Sequence, residues 1–198
     1  MNTPNKLTIM RMILVPLMVL VSMINIPGEF LEIPLGWWIM DIIFVIGAIT
    51  DKIDGYLARK NNQVTNFGKF LDPIADKILV VSALIILVGQ GKLPTWIPII
   101  IIVREFAVSG YRLIAVESNG KVIAANVWGK LKTVTQMVAI ILAFLDVNEF
   151  GAIFNRQLDT IPFIWNLLVT LLMIACTIAT IFSGYEYIKN GKDLLKDM

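Results

Sequence analysis

Six stretches of the chain stay apolar for about 20 positions each, the length a helix needs to cross the hydrocarbon core of a bilayer. The pattern predicts helices over Leu7–Ile24, Gly36–Lys60, Phe67–Val88, Thr95–Glu117, Ala125–Leu145 and Phe163–Lys189. Between the first two, Asn25–Leu35 carries Pro27, Gly28 and Pro34 beside Glu29 and Glu32, and reads as a loop or interfacial piece. NNQVTN (61–66) and SNGK (118–121) read as polar turns, GQGKLP (89–94) as a break, and residues 146–162 as a polar, mixed connection. Trp37 and Trp38 suit interfacial anchors, and Pro16 a kink in the first helix. The expected fold is all-α: a polytopic membrane protein with six transmembrane helices in one bundle, forming a single domain over residues 1–198.

Composition agrees with that pattern and narrows the chemistry. Hydrophobic residues make up 57% of the 198 and charged ones 16%, with a mean hydropathy of +0.77, which excludes an ordinary soluble domain. The first apolar run has no clear small-residue cleavage site, so it reads as a retained membrane helix rather than a secretory signal. A net charge of +2 is too small, and the basic residues too scattered, to suggest a nucleic-acid protein, so no nucleic acid is expected as a partner. There is no histidine, so Ser-His and Cys-His catalysis are out, and any general base must be Asp, Glu, Lys or Tyr. The single cysteine, Cys176, lies in an apolar run and suits packing. Of the 17 Lys and Arg, all but Lys92 and Arg156 fall on one side of the six-span arrangement. The positive-inside rule then places both termini and the acidic stretch 51–76 on the cytoplasmic side of a cell membrane.

That acidic stretch reads DKIDGYLARKNNQVTNFGKFLDPIADK from Asp51 onward. Asp51 and Asp54 stand three apart near the end of the second helix, and Gly68, Asp72 and Asp76 follow at i, i+4 and i+8 on the third. Two antiparallel helices joined by a short turn can aim all four carboxylates at one another, and like charges that close stay ionised only with cations among them. An all-oxygen donor set selects Mg²⁺, Mn²⁺ or Ca²⁺ over zinc. Two such ions, about 3.5–4 Å apart, form a clamp suited to displacement at phosphorus. Gly55 and Ala58 leave a small-residue groove beside the acids, with Arg59 within reach of a phosphate. Asp41 stands apart from this group and suits a local hydrogen bond, while Lys52 and Lys77 can neutralise neighbouring acids.

The spacing D-x2-D-G-x2-A-R-x8-G-x3-D-x3-D, met at every fixed position by Asp51, Asp54, Gly55, Ala58, Arg59, Gly68, Asp72 and Asp76, resembles the signature of the CDP-alcohol phosphotransferase family of integral membrane enzymes. PNKLTIMR at the start, VREFAVSGYR and NVWGKLKT are similar to the branch of that family that forms phosphatidylglycerophosphate in bacteria. The resemblance implies a dinuclear site of Mg²⁺ or Mn²⁺ on Asp51, Asp54, Asp72 and Asp76, with Asp76 also the general base. It implies that Gly55, Ala58 and Arg59, with Gly68 beside them, help bind CDP-diacylglycerol, and that the enzyme is a homodimer. Thr8, Arg11 and Thr133 are candidates for further hydrogen bonds to substrate, Thr8 on the CDP-diacylglycerol side.

The motif does not name the acceptor, but the basic residues bear on it. Arg104 and Arg112 on the fourth helix and Lys130 and Lys132 at the start of the fifth suit an anionic acceptor such as sn-glycerol 3-phosphate. Arg104 lies deep in an apolar run, with Glu105 its nearest possible partner. The expected reaction is transfer of the phosphatidyl group to that acceptor, giving phosphatidylglycerophosphate and CMP, with the lipid tails entering sideways from the membrane. Phosphatidylglycerol (giving cardiolipin) and inositol phosphate are the alternative acceptors. A divalent-cation transporter is the alternative of another class, although its acids belong nearer the midplane on broken helices.

Overall fold

The computed structural model describes residues 3–60, 66–117 and 127–190; within them the side chains of 3–5, 52, 54–60, 66–70, 72, 73, 112–117 and 190 lie outside the description. Seven helices are found in this range: α1 (Thr3–Met23), α2 (Leu35–Lys60), α3 (Asn66–Gly89), α4 (Trp96–Glu117), α5 (Val127–Leu145), α6 (Ala152–Asn155) and α7 (Thr160–Asn190). Six of them coincide with the six apolar stretches. The turns expected at 61–66 and 118–121 fall almost wholly outside the described residues.

Two small elements depart from the pattern. Residues expected as a loop or interfacial piece include a two-stranded antiparallel ribbon, β1 (Glu29–Phe30) and β2 (Ile33–Pro34), with Phe30 opposite Ile33. Both residues of its turn, Leu31 and Glu32, have positive φ (53° and 64°), the backbone a tight two-residue hairpin requires. Tertiary contacts override the unsuitable turn residues: Trp38 donates from Nε1 to the Phe30 carbonyl at 3.0 Å and its ring meets Phe30 edge-on. The other element is α6, a single turn in the connection before α7. Its start is held by α7, where the Thr170 hydroxyl accepts from Gly151 N–H and Asn166 Oδ1 from Ile153 N–H.

The described residues fall into two compact units: 1–93 with 140–149, and 94–139 with 150–198. In the first, α1 packs on α2 and α3 through a stripe at i, i+3, i+7 and i+10, formed by Thr8, Arg11, Val15 and Met18. Ile13, Leu17 and Leu20 on its other side are exposed. Where α2 meets α3, a Cβ added at Gly47 would lie 2.6 Å from Leu79 Cδ2, so the helices approach too closely there for a side chain. In the second unit α4 packs on α7, whose buried stripe of Asn166, Thr170, Met173, Thr177, Thr180 and Ser183 repeats every three or four residues. Thr177 and Thr180 return their hydroxyl protons to carbonyls one turn earlier, which removes the cost of burying them.

The surface is apolar where a soluble protein would be polar: Ile99, Val103, Phe106, Leu171 and Ile181 are all exposed. Helices α1, α5 and α7 are long and apolar enough to cross a membrane. Such a surface is stable against lipid rather than water.

Candidate active site

The close passage at Gly47 and Leu79 sets the level of the acidic residues in the first unit. For antiparallel helices, four residues forward from Gly47 and three back from Leu79 are displacements of about 6 Å and 4.5 Å in the same direction. They bring Asp51 of α2 and Asp76 of α3 to one level, both half-buried. Asp54, Gly55, Ala58 and Arg59 follow on α2, and Gly68 and Asp72 lie on α3, with side chains outside those described.

Asp51 has a partner that its own helix does not supply. Arg11 on α1, at 0% exposure, places Nη1 2.8 Å from Asp51 Oδ1. A fully buried guanidinium inside an apolar helix needs such a partner. The pair orients Asp51 Oδ1 towards α1. Arg11, a candidate for substrate contact from sequence, is thus positioned to hold an acidic residue of the motif. Thr8 sits one turn away on the same buried stripe. The oxygen-only character of the four aspartates fits Mg²⁺ or Mn²⁺; among the described side chains Asp51 and Asp76 are the members of that set.

A second polar cluster lies in the other unit. Glu105 Oε1 accepts from Arg104 Nη1 at 3.2 Å and also from Lys132 Nζ. Arg104 donates through Nη2 to Ser183 on α7, and its guanidinium stands 5.7 Å from the Tyr187 ring centroid. The three charged side chains are 13% (Arg104), 17% (Glu105) and 5% (Lys132) exposed, so their interactions are little screened. A Cβ added at Gly184 on α7 would meet Arg104 Cγ at 3.4 Å, an ordinary van der Waals contact. Of the other basic candidates, Lys130 is exposed on α5 and the Arg112 side chain is outside the described set. Thr133 bonds back to the Gly129 carbonyl.

The sequence reading named Arg104, Lys132 and Glu105 but missed Ser183 and Tyr187. Their signal was present as polar positions four apart in the longest apolar helix.

A family model described as CDP-alcohol phosphatidyltransferase matches residues 1–182, which contain both clusters except for Ser183 and Tyr187. The chain belongs to the CDP-alcohol phosphatidyltransferase family. Among the members it resembles is the CDP-diacylglycerol–glycerol-3-phosphate 3-phosphatidyltransferase of Bacillus subtilis, 41% identical over 98% of this chain and 97% of the relative. The enzyme of the same name from Haemophilus influenzae is 38% identical over 84% of this chain and 90% of its own length. A probable phosphatidylglycerophosphate synthase of Mycobacterium tuberculosis is 35% identical over 94% and 80%. With its three apolar helices, this member of the family is a membrane protein.

Proposed function

We propose that the protein transfers the phosphatidyl group of CDP-diacylglycerol to sn-glycerol 3-phosphate, releasing CMP and forming phosphatidylglycerophosphate. The observation that carries this reading is the complete acidic motif on α2 and α3, with Asp51 and Asp76 at one level, in a chain whose relatives over nearly its whole length are named for that reaction. One turn further along both helices, the same antiparallel register would pair positions 54 and 72.

Two Mg²⁺ or Mn²⁺ ions held by Asp51, Asp54, Asp72 and Asp76 would offset the charge of the diphosphate and of departing CMP. Asp76 takes the proton from the acceptor hydroxyl. The freed oxygen bonds to the lipid-side phosphorus as the bond to the CMP oxygen breaks, and the electron pair leaves with CMP. Gly55, Ala58, Arg59, Gly68 and Thr8 bind the nucleotide lipid, and Arg104, Arg112, Lys130 and Lys132 hold the acceptor phosphate. Arg11 fixes Asp51.

The enzyme is a single domain of six spans, acting as a homodimer in the cell membrane with both termini and the site cytoplasmic. Support for six spans comes from the lengths of α2, α3 and α4, each above 20 residues, and for the orientation from the bias in Lys and Arg.

The test is CMP release by the purified protein with CDP-diacylglycerol and each acceptor in turn. Release with glycerol 3-phosphate that is abolished by EDTA and restored by Mg²⁺ or Mn²⁺ is expected. Release with phosphatidylglycerol or inositol phosphate alone would reassign the acceptor. No release with any acceptor, alongside divalent-ion flux in liposomes, would replace the enzyme with a transporter.

A further inference from the structure

Two cations converge on one carboxylate oxygen in the second unit, and the reaction proposed above gives that carboxylate no role. Glu105 Oε1 receives both Arg104 and Lys132, which come from different helices, α4 and α5. Arg and Lys side chains are long and lose much rotamer freedom when held. Left to themselves, two cations in a weakly screened setting repel. A carboxylate shared between them removes the repulsion and fixes the distance from guanidinium to ammonium.

The cations are not used up by this contact. Among these three side chains one positive charge remains after Glu105 is counted, and an ammonium has three donors. Arg104 Nε is buried with no hydrogen-bond partner. A buried donor without an acceptor is costly, and an anionic oxygen is the ligand that relieves the cost. Ser183 and the Tyr187 ring hold the rest of the guanidinium from α7, so that the free donor has a set direction.

We propose that Glu105 is a positioning residue for the acceptor, spacing Arg104 and Lys132 so that together they grip a phosphate monoester and discriminate against acceptors that lack one. The inference rests on the reading of Arg104 and Lys132 as acceptor-phosphate residues. Glu105 touches neither substrate; it acts through the two cations.

The experiment is steady-state CMP release by the full-length protein, varying glycerol 3-phosphate and CDP-diacylglycerol separately, for Glu105→Gln, Glu105→Asp, Arg104→Lys and Lys132→Met. Glu105→Gln keeps the shape and removes the charge. Its KM for glycerol 3-phosphate is expected to rise about tenfold or more, as loss of a charge-assisted bond implies. Its KM for CDP-diacylglycerol should change less than about twofold by the same reasoning. A merely structural role would instead lower kcat through loss of active protein, or shift both KM values together. If Arg104→Lys and Lys132→Met raise the acceptor KM while Glu105→Gln does not, the positioning role is overturned and the acceptor site stands. If none of the variants moves the acceptor KM, the acceptor site itself is misplaced. Should Glu105→Gln fail to accumulate, Glu105→Asp carries the same expectation, because it withdraws the carboxylate by one methylene. An unchanged acceptor KM in that variant overturns the role equally.

Discussion

Asp76 and Asp51 belong to the same motif, and the proposed reaction gives them different roles. Asp51 Oδ1 is committed to Arg11, whereas the proposed reaction asks Asp76 to accept a proton. Replacing Asp76 with Asn keeps an oxygen ligand and removes the base. The expected result is a kcat lower by about 100-fold or more, the usual contribution of a general base, with substantial metal binding retained in calorimetry. Turnover close to wild type would take the base role away from Asp76. The acids were legible in the sequence because their spacing alone puts them on helix faces. Arg11 and Glu105 were not legible in the same way. Their partners, Asp51 and Lys132, are 40 and 27 positions away, and only the packing of α1 on α2 and the Glu105–Lys132 pair between α4 and α5 make those pairs.

At the scale of elements, the crossing of α2 and α3 carries the motif. Gly47 looks unremarkable in sequence, one small residue in an apolar helix, yet Leu79 occupies the space its side chain would need. Gly47→Leu is expected to destabilise the protein by about 1–3 kcal/mol through overpacking, seen as a lower melting temperature in detergent and reduced CMP release. Leu79→Ala in the same chain should restore part of both. A Gly47→Leu protein that melts with wild type would show that the helices are not in close contact at this point. Element boundaries of the long helices could be read to within a few residues, since their length and apolar content are large signals. The ribbon of β1 and β2 and the single turn of α6 could not, because each is held by contacts from other elements: Trp38 for the ribbon, Asn166 and Thr170 for the turn.

At the scale of the whole molecule, one exception to the bias in Lys and Arg has a structural use. Lys92 lies in the connection between α3 and α4, buried, and its Nζ donates to the carbonyls of Ala143 and Phe144 at 3.1 and 2.7 Å, near the end of α5. The ammonium also sits 3.3 Å from the Trp37 ring centroid. Trp37 is therefore a platform for a cation, beyond any anchoring role. Nearby Asp41, a candidate for a local hydrogen bond, instead has Oδ1 buried without a partner.

Burial pushes the Lys92 ammonium down to about 7 from 10.5, against the opposing pull of Asp146 and Asp41. Between those values the unfolded chain holds the extra proton, so stability rises with pH through that window and gains nothing further above it. Melting temperature should therefore increase as buffer is raised from about pH 7 towards about pH 10, with stability rising at a slope of at most about 1.4 kcal/mol per pH unit. Lys92→Met should flatten the increase, and equal slopes for the two proteins would remove Lys92 as its source.

The passage of α2 over α3 at Gly47 also has a mechanical consequence. Asp51 is only about 6 Å along α2 from that crossing, whereas the start of α2 at Leu35 is about 18 Å away on the other side. If the helices rock about their tightest point by about 10°, the far end swings by about 3 Å and the acid by about 1 Å, since displacement scales with lever arm. A membrane whose thickness varies changes helix tilt. A pivot at that crossing would lie close to the acid, and the distant ends of the helices would take up most of the tilt.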